Sequence, residues 1–175
     1  MIAVRHIVLS LVVALAHAQR PDARKAEEAF SQGRRLEIAR QLEASLERFS
    51  EAIRYAPDFA AAYRHRGRIQ LSLGHTAEAL ADFNQALRIQ TDDAEAYHLR
   101  ADLLLSSNEF EKAVKDYEQA LALRRERPDL YAGRAAAYSA LRQYRRALED
   151  YTSAIRLRPA QASLYKERAM VHAKL

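Results

Sequence analysis

The sequence contains no cysteine and only four glycines and four prolines among its 175 residues. Without cysteine the protein can have no disulfide, no thiolate metal site and no cysteine nucleophile. The scarcity of glycine and proline argues against sandwiches, barrels and glycine-rich phosphate loops, because those structures need many turns with positive φ. Long helices with short connections are therefore predicted.

Catalytic motifs are also missing, since the chain has neither His-Glu-x-x-His nor Gly-x-Ser-x-Gly. His98 and Asp102 lie four residues apart, and His65 lies on an earlier helix, so a metal site or acid–base pair is conceivable. We favour solvated polar residues there. The 28 lysines and arginines against 23 acidic residues are spread along the chain and do not indicate nucleic-acid binding. We expect no enzyme activity, metal, cofactor or nucleic-acid partner.

The N-terminus has the features of a secretory signal peptide. An apolar run over 7–16 follows Arg5, and Ala-His-Ala at 16–18 forms a small-x-small cleavage site. Such a run extends only about 15 Å as a helix, so an uncleaved membrane anchor is the weaker alternative. We expect residues 1–18 to be removed, residues 19–25 to form a leader, and the protein to be exported to a periplasm, the medium or a secretory lumen, without stable membrane insertion.

A period of 34 residues organises the rest of the chain. Tyrosine recurs at this spacing as Tyr63, Tyr97, Tyr131 and Tyr165. Counting from the start of each repeat, position 8 is small (Gly33, Gly67, Ala101, Ala135, Ala169) and position 24 is aromatic (Phe49, Phe83, Tyr117, Tyr151). Alanine recurs at positions 20 and 27. The predicted units are a degenerate repeat 26–59, the repeats 60–93, 94–127 and 128–161, and a capping helix or truncated repeat 162–175.

This pattern of aromatic, Gly/Ala, Ala, aromatic, Ala and Pro resembles the tetratricopeptide repeat (TPR) family over residues 26–175. Positions 4, 7, 8 and 11 share one face of a helix at about 100° per residue, and positions 20, 24 and 27 share a face of a second helix. Small residues let the two backbones approach, and the aromatic residues at positions 4 and 24 fill the space between pairs. The resemblance implies an all-α, right-handed superhelical solenoid of antiparallel helix pairs.

Charged residues recur beside this predicted core. Arginine occupies position 7 (Arg66, Arg100, Arg134, Arg168) and aspartate occupies position 23 (Asp82, Asp116, Asp150). Repeat 26–59 has Gln32 and Arg48 there instead. A half-buried guanidinium needs a carboxylate, so we favour structural Arg–Asp pairs, within or between repeats, over an arginine row that binds a partner. Two basic clusters, Arg124, Arg125 and Arg127 and Arg142, Arg145 and Arg146, are interpreted as solvated charge.

The resemblance places the inner, concave wall of the solenoid at positions 2, 5, 6, 9, 12 and 13 of each first helix. The candidate peptide-binding residues on it are Arg34, Arg64, His65, Arg68, His98, Asp102, Ala132, Gly133 and Ala136. The arginines predict an acidic peptide, and the small residues of repeat 128–161 leave room for an apolar side chain. A merely solvated wall is the alternative. No window matches the lysine and asparagine set with which some TPR domains hold the carboxylate of heat-shock chaperones.

The expected function is a non-catalytic scaffold or adaptor in the secretory or periplasmic compartment, binding a protein or peptide segment in the concave groove. Two alternatives stay open. The protein could be a structural or assembly subunit of an envelope or secretion complex, or it could be the TPR portion of a larger enzyme such as a glycosyltransferase.

Overall fold

The computed structural model describes residues 22–175, so the predicted signal peptide 1–18 and the leader residues 19–21 lie outside the described part. Residues 22–175 are helical apart from short connections and contain no strand. The helices are α1 (Ala23–Ile38), α2 (Leu42–Tyr55), α3 (Ala60–Ser72), α4 (Thr76–Ile89), α5 (Ala94–Ser106), α6 (Phe110–Leu123), α7 (Pro128–Ala140), α8 (Tyr144–Leu157) and α9 (Ala162–His172). The all-α prediction is confirmed over this range.

The chain forms two compact units that divide after Phe59. The described part of the first unit is the helix pair α1–α2. The second unit contains the pairs α3–α4, α5–α6 and α7–α8, and α9 packs on α8. Within this unit the second helix of each pair packs on the first helix of the next. Between residues 22 and 175 no helix combines the length and apolar character needed to cross a bilayer.

The turn inside each helix pair has the same backbone in every repeat. Arg40, Gly74, Asn108 and Arg142 adopt left-handed φ values of 57°, 82°, 61° and 59°. The amide that follows each of them reaches back over the turn, as His75 does to the Gln70 carbonyl at 2.8 Å. This arrangement is a Schellman helix end, which favours glycine at the left-handed residue. The two arginines therefore hold a conformation that costs a residue with a Cβ atom about 1–2 kcal/mol.

The core of each pair is an aromatic ring packed over a small residue. Phe49 and Phe83 are fully buried, and a Cβ atom added to Gly67 would lie 2.8 Å from the Phe83 ring. The Phe83 ring can therefore pack this close to the α3 backbone only because position 8 is glycine and has no Cβ atom. The alanines at positions 20 and 27 of the second unit are also fully buried: Ala79, Ala86, Ala113, Ala120, Ala147 and Ala154.

The tyrosines at position 4 are less buried than the sequence pattern predicts. Tyr63, Tyr97 and Tyr131 are half-buried, and each ring lies against the arginine three residues later in its own helix. The Arg100 guanidinium, for example, lies 5.7 Å from the centre of the Tyr97 ring. The arginine guanidinium occupies part of the space between helix pairs that the sequence pattern assigned to the tyrosine ring. The buried aromatic residue of each pair is therefore the one at position 24.

The Arg–Asp pairs predicted from the sequence are confirmed, and each lies within one repeat. Arg100 donates from Nε and Nη2 to the two carboxylate oxygens of Asp116, at 2.6 and 2.7 Å. Equivalent two-point contacts join Arg66 to Asp82 and Arg134 to Asp150. The aspartates are buried, and their hydrogen bonds raise the pKa of all three arginines. These clamps fix the two helices of a pair in one register.

Candidate functional site

The candidate site is the first-helix surface, which we define as positions 2, 5, 6 and 9 of α3, α5 and α7. Its position 5 in α3 is Arg64, whose Nε donates to Asp93 Oδ2 at 2.7 Å. Asp93 also caps α5, since its other oxygen accepts the amides of Glu95 and Ala96 at 3.0 Å. Arg64 is therefore held in place and its charge is balanced by a carboxylate that the fold already needs.

The same contact recurs one repeat later with different chemistry. His98 is position 5 of α5, and its Nδ1 lies 3.2 Å from Arg127 Nη2. Like Arg64 and Asp93, the two residues are 29 positions apart. In the first unit the equivalent pair is Phe30 and Phe59, whose ring centres are 4.8 Å apart. In these three repeats the residue just before the next repeat contacts position 5, although the residue types differ.

Interpreting Arg127 as solvated charge was wrong. It is half-buried and binds three partners, because its guanidinium also contacts Glu95 at 3.3 Å and both oxygens of Asp129. These hydrogen bonds lower the pKa of Asp129. Comparing position 5 of each repeat with the residue 29 positions later could have identified Arg127. Both members of this pair change type from repeat to repeat, from Arg64 with Asp93 to His98 with Arg127.

A second network surrounds Asp102. The Tyr117 hydroxyl donates to Asp102 Oδ1 at 2.5 Å, and His98 Nε2 lies 3.3 Å from Asp102 Oδ2. Burial and then the Asp102 charge raise the pKa of Tyr117, so the phenol stays neutral and acts as a donor. Asp102 itself remains 51% exposed. No group of three His, Asp or Glu side chains suited to a metal ion occurs among the residues described here.

The remaining predicted site residues lie in different surroundings. His65 is buried, and its Nδ1 lies 3.1 Å from Nη2 of the half-exposed Arg68. Ala132 and Ala136 are half-exposed on α7. Arg34 is exposed on α1 in the first unit. Its place in a binding site shared with Arg64 stays a prediction.

Gly133 does not offer the open space that the sequence predicted. A Cβ atom added there would lie 2.5 Å from the Tyr117 ring and hydroxyl. The ring passes over Gly133 on its way to Asp102, so this glycine lets Tyr117 reach its hydrogen-bond acceptor. Room for an apolar ligand side chain is left as a prediction at Ala132 and Ala136 alone.

Models of one repeat family match most of the chain. Residues 30–94 and 128–161 each match a model described as a tetratricopeptide repeat, and residues 101–141 match a model described as a TPR repeat. Together the matches span more than half of the sequence. No curated protein sequence matches the chain.

Solved structures with the same fold include MamA 41-end from Desulfovibrio magneticus RS-1, at 18% identity and a TM-score of 0.81, covering 86% of this chain and 85% of that one. YrrB, described as a TPR protein with an unusual peptide-binding site, has 16% identity and a TM-score of 0.79, with 92% and 81% covered. The first TPR of Spaghetti (RPAP3), bound to the HSP90 peptide SRMEEVD, has 23% identity and a TM-score of 0.63, with 65% and 90% covered.

Proposed function

Because the chain belongs to the tetratricopeptide repeat family through residues 30–94 and 101–161, we propose that it is a non-catalytic scaffold that binds a peptide on its first-helix surface. Two structures of the same fold are described by their peptide binding, which supports a protein or peptide partner. The observation that carries the proposal is the anchoring of position 5 from outside its own helix, at Arg64 and again at His98.

Anchoring matters because a surface that is already ordered loses little side-chain entropy when a ligand binds. The polar residues around α5 are held by one another: Arg127 fixes Asp129 and Glu95, and Tyr117 fixes Asp102. All three carboxylates keep a substantial exposed surface. They can therefore accept hydrogen bonds from a peptide without rearranging.

The order of charges along the first-helix surface suggests the order of charges in the peptide. Near α3 the first-helix surface carries the half-exposed Arg68 beside His65, and Arg64 is paired with Asp93. Around α5 there are three carboxylates, of which Glu95 and Asp129 contact Arg127 and Asp102 contacts His98, so negative groups outnumber the one arginine there. We therefore limit the acidic peptide residue to the α3 end and place a basic residue over α5 and an apolar one near Ala136.

A library of random peptides displayed on phage and selected on the full chain tests this proposal. The variants Arg68→Glu and Ala136→Arg alter the first-helix surface, and Arg88→Glu and Ala81→Arg make the same changes at exposed sites of the second helix α4. We expect Arg68→Glu to weaken selected peptides mainly at low salt and Ala136→Arg to weaken them at all salt concentrations. Peptides that bind all four variants equally would contradict the proposal.

Export is proposed as a second, separate property. Its support is the apolar run over 7–16 and the small-x-small site at 16–18, which precede the described residues. Expression of the full chain in a secreting bacterial host, followed by intact-mass measurement of the released protein, should give a chain that begins at Gln19. A product that retains Met1, or that stays inside the cell, would contradict export.

A further inference from the structure

An open cleft of about 350 Å³ lies between the second helices α4 and α6 and is also lined by α5. We name this cleft the second-helix groove and define it by six of its lining residues, which are Leu80, Asn84, Arg100, Leu104, Lys112 and Lys115. None of the six belongs to the first-helix surface. Binding at the second-helix groove therefore does not depend on the function proposed above.

The next groove along the chain, between α6 and α8, holds one of the protein's own aromatic side chains. Tyr138 of α7 stands where α5 has Leu104, since the two residues are 34 positions apart. The Tyr138 hydroxyl donates to Glu118 Oε1 at 3.2 Å. Its ring centre lies 5.8 Å from the Arg134 guanidinium and 5.6 Å from that of Arg146. This position of the repeat thus accommodates a phenol ring beside two cationic side chains.

The second-helix groove has the same surroundings without the ring. Its leucine, Leu104, is buried and lacks the length of a tyrosine. Arg100 and Lys112 stand at the positions of the two arginines that flank the ring in the next groove. Arg100 is held in place by Asp116 and by Asn84, whose Oδ1 accepts from Nη1 at 2.7 Å. An apolar base and two cations are therefore in place, and an added aromatic ring would complete the arrangement.

The charge of the lining indicates what else the ligand carries. Asn84 and Lys115 stand where glutamates occur 34 residues later, so the second-helix groove is less acidic than the next one. Its own carboxylates, Glu109 and Asp116, are each paired with one of the two cations. The exposed Lys115 is the excess positive charge among the lining residues. Charge complementarity therefore favours a ligand with a carboxylate beside its aromatic ring.

We propose that the second-helix groove binds a segment of a partner protein through a tyrosine that stands next to an acidic residue. The tyrosine ring packs on Leu104 between Arg100 and Lys112. Asn84 donates from Nδ2 to the phenol oxygen, because its Oδ1 already accepts from Arg100. The neighbouring carboxylate of the segment pairs with Lys115.

A second copy of this chain is a poor occupant, because its suitable tyrosines are inside the core. Tyrosine stands directly beside an acidic residue at Tyr117 and Tyr151, and nowhere else in the sequence. Both of these rings are buried. Offering one of them to another copy would open its helix pair, so the occupant belongs to a different protein.

The test is a titration of the full chain, with isotopically labelled leucine methyl groups, against the peptide acetyl-Glu-Tyr-Glu-amide. We expect the methyl signals of Leu80 and Leu104 to shift, because an aromatic ring placed over them changes their magnetic surroundings. The methyl signals of Leu99, which lies on the first-helix surface, should stay unchanged. The same peptide with alanine in place of tyrosine should leave all three residues unaffected. The Leu99 signals separate this proposal from the one made for the first-helix surface.

Two variants of the chain sharpen the test. Leu104→Tyr fills the groove from within, as Tyr138 fills the next one, and should weaken the peptide at least about tenfold while thermal unfolding shows that the fold is kept. Lys115→Glu should weaken it about three- to tenfold, mainly at low salt. The matched control Lys166→Glu changes another exposed lysine, on α9, and should leave binding unchanged.

The proposal is overturned if the peptide leaves the signals of Leu80 and Leu104 in place, or if the alanine peptide shifts them equally. Shifts confined to Leu99 would assign the peptide to the first-helix surface and would also overturn it. Full affinity in Lys115→Glu at low salt would contradict the acidic neighbour, and full affinity in Leu104→Tyr would contradict the position of the ring.

Discussion

The helix pair α1–α2 and the three pairs within residues 60–161 make the same turn and pack the same kind of ring over position 8, but different polar groups join their helices. In α1–α2 the Ser45 hydroxyl donates to the Gly33 carbonyl at 2.9 Å, and no arginine occupies position 7. In α5–α6 a buried alanine replaces the serine and Arg100 clamps Asp116. The backbone arrangement of a pair is therefore set by the turn and by small-against-aromatic packing.

The comparison also shows what the clamp adds. A half-buried ion pair gains little net stability over apolar residues of the same size, but it strongly penalises any arrangement that leaves one charge without its partner. Arg100 and Asp116 meet at two points, which fixes the rotation of one helix against the other more narrowly than the single Ser45 hydrogen bond does. We infer that the clamps specify the register of the later pairs.

The largest effect is expected where the regions are alike. Tyr117→Ala and Phe49→Ala each remove a fully buried ring, and each should lower the free energy of unfolding by about 3–5 kcal/mol. Urea unfolding followed by circular dichroism gives the loss, and amide exchange shows which pair opens. A loss below about 1 kcal/mol at either position would contradict the claim that the same ring packing stabilises both regions.

The second-largest effect should differ between the two regions, because only the later helix pairs contain an Arg–Asp clamp. Asp116→Asn leaves the Arg100 guanidinium half-buried without its carboxylate and should cost about 2–3 kcal/mol. Glu51→Gln breaks the exposed Arg48–Glu51 contact of α2 and should cost less than about 0.5 kcal/mol. Urea midpoints measured under the same conditions compare the two variants. Equal costs would mean that the clamp is no more than a surface ion pair.

The turns of both regions should respond alike to substitution: glycine at the left-handed residue should stabilise the protein, and a residue with a Cβ atom should destabilise it. Arg40→Gly and Arg142→Gly relieve a left-handed residue and should each stabilise by about 1 kcal/mol. Gly74→Ala introduces the same strain and should destabilise by a similar amount. Thermal unfolding detects shifts of this size. A loss of stability on either arginine substitution would show that its side chain, rather than its backbone, matters at the turn.

The smallest effect concerns high pH, because the buried ring at position 24 is a tyrosine with an ionisable hydroxyl in α6 and α8, whereas it is a phenylalanine in α2 and α4. Burial raises the pKa of Tyr151 from 10.0 to about 12, so this residue stabilises the fold fully below pH 10 and progressively less above it. From pH 9 to pH 11 its ionisation should cost about 1 kcal/mol. Urea midpoints at both pH values should show a smaller loss for Tyr151→Phe. A loss for Tyr151→Phe equal to that of the unaltered protein would show that other groups cause the loss of stability at high pH.

The sequence predicted the helix pairs and the Arg–Asp clamps because both depend on contacts inside one repeat, and these recur with the period. Arg66, Arg100 and Arg134 differ from their aspartates by the same 16 positions. The uniform spacing predicts Arg–Asp pairing but leaves open whether a pair lies within a repeat or between repeats, which the hydrogen bonds decide.

The polar networks of the first-helix surface were not predicted, because their residue types change from repeat to repeat. Arg64 with Asp93 and His98 with Arg127 occupy equivalent positions with unlike chemistry, so a search for repeated letters misses them. Tyr117 was assigned to the core by its position, and its ring is buried there. Its hydroxyl bonds to Asp102 of the first-helix surface, and both the hydroxyl and the ring lie over Gly133.

The central claim, that each Arg–Asp clamp joins the two helices of its own repeat, is tested most directly by a double-mutant cycle on Arg100 and Asp116. Arg100→Leu, Asp116→Leu and the double variant should give a coupling energy of about 0.5–3 kcal/mol, with the double variant more stable than either single one. The cycle on Arg134 and Asp116, which belong to different repeats, should give less coupling. Strong coupling across repeats and none between Arg100 and Asp116 would contradict the claim.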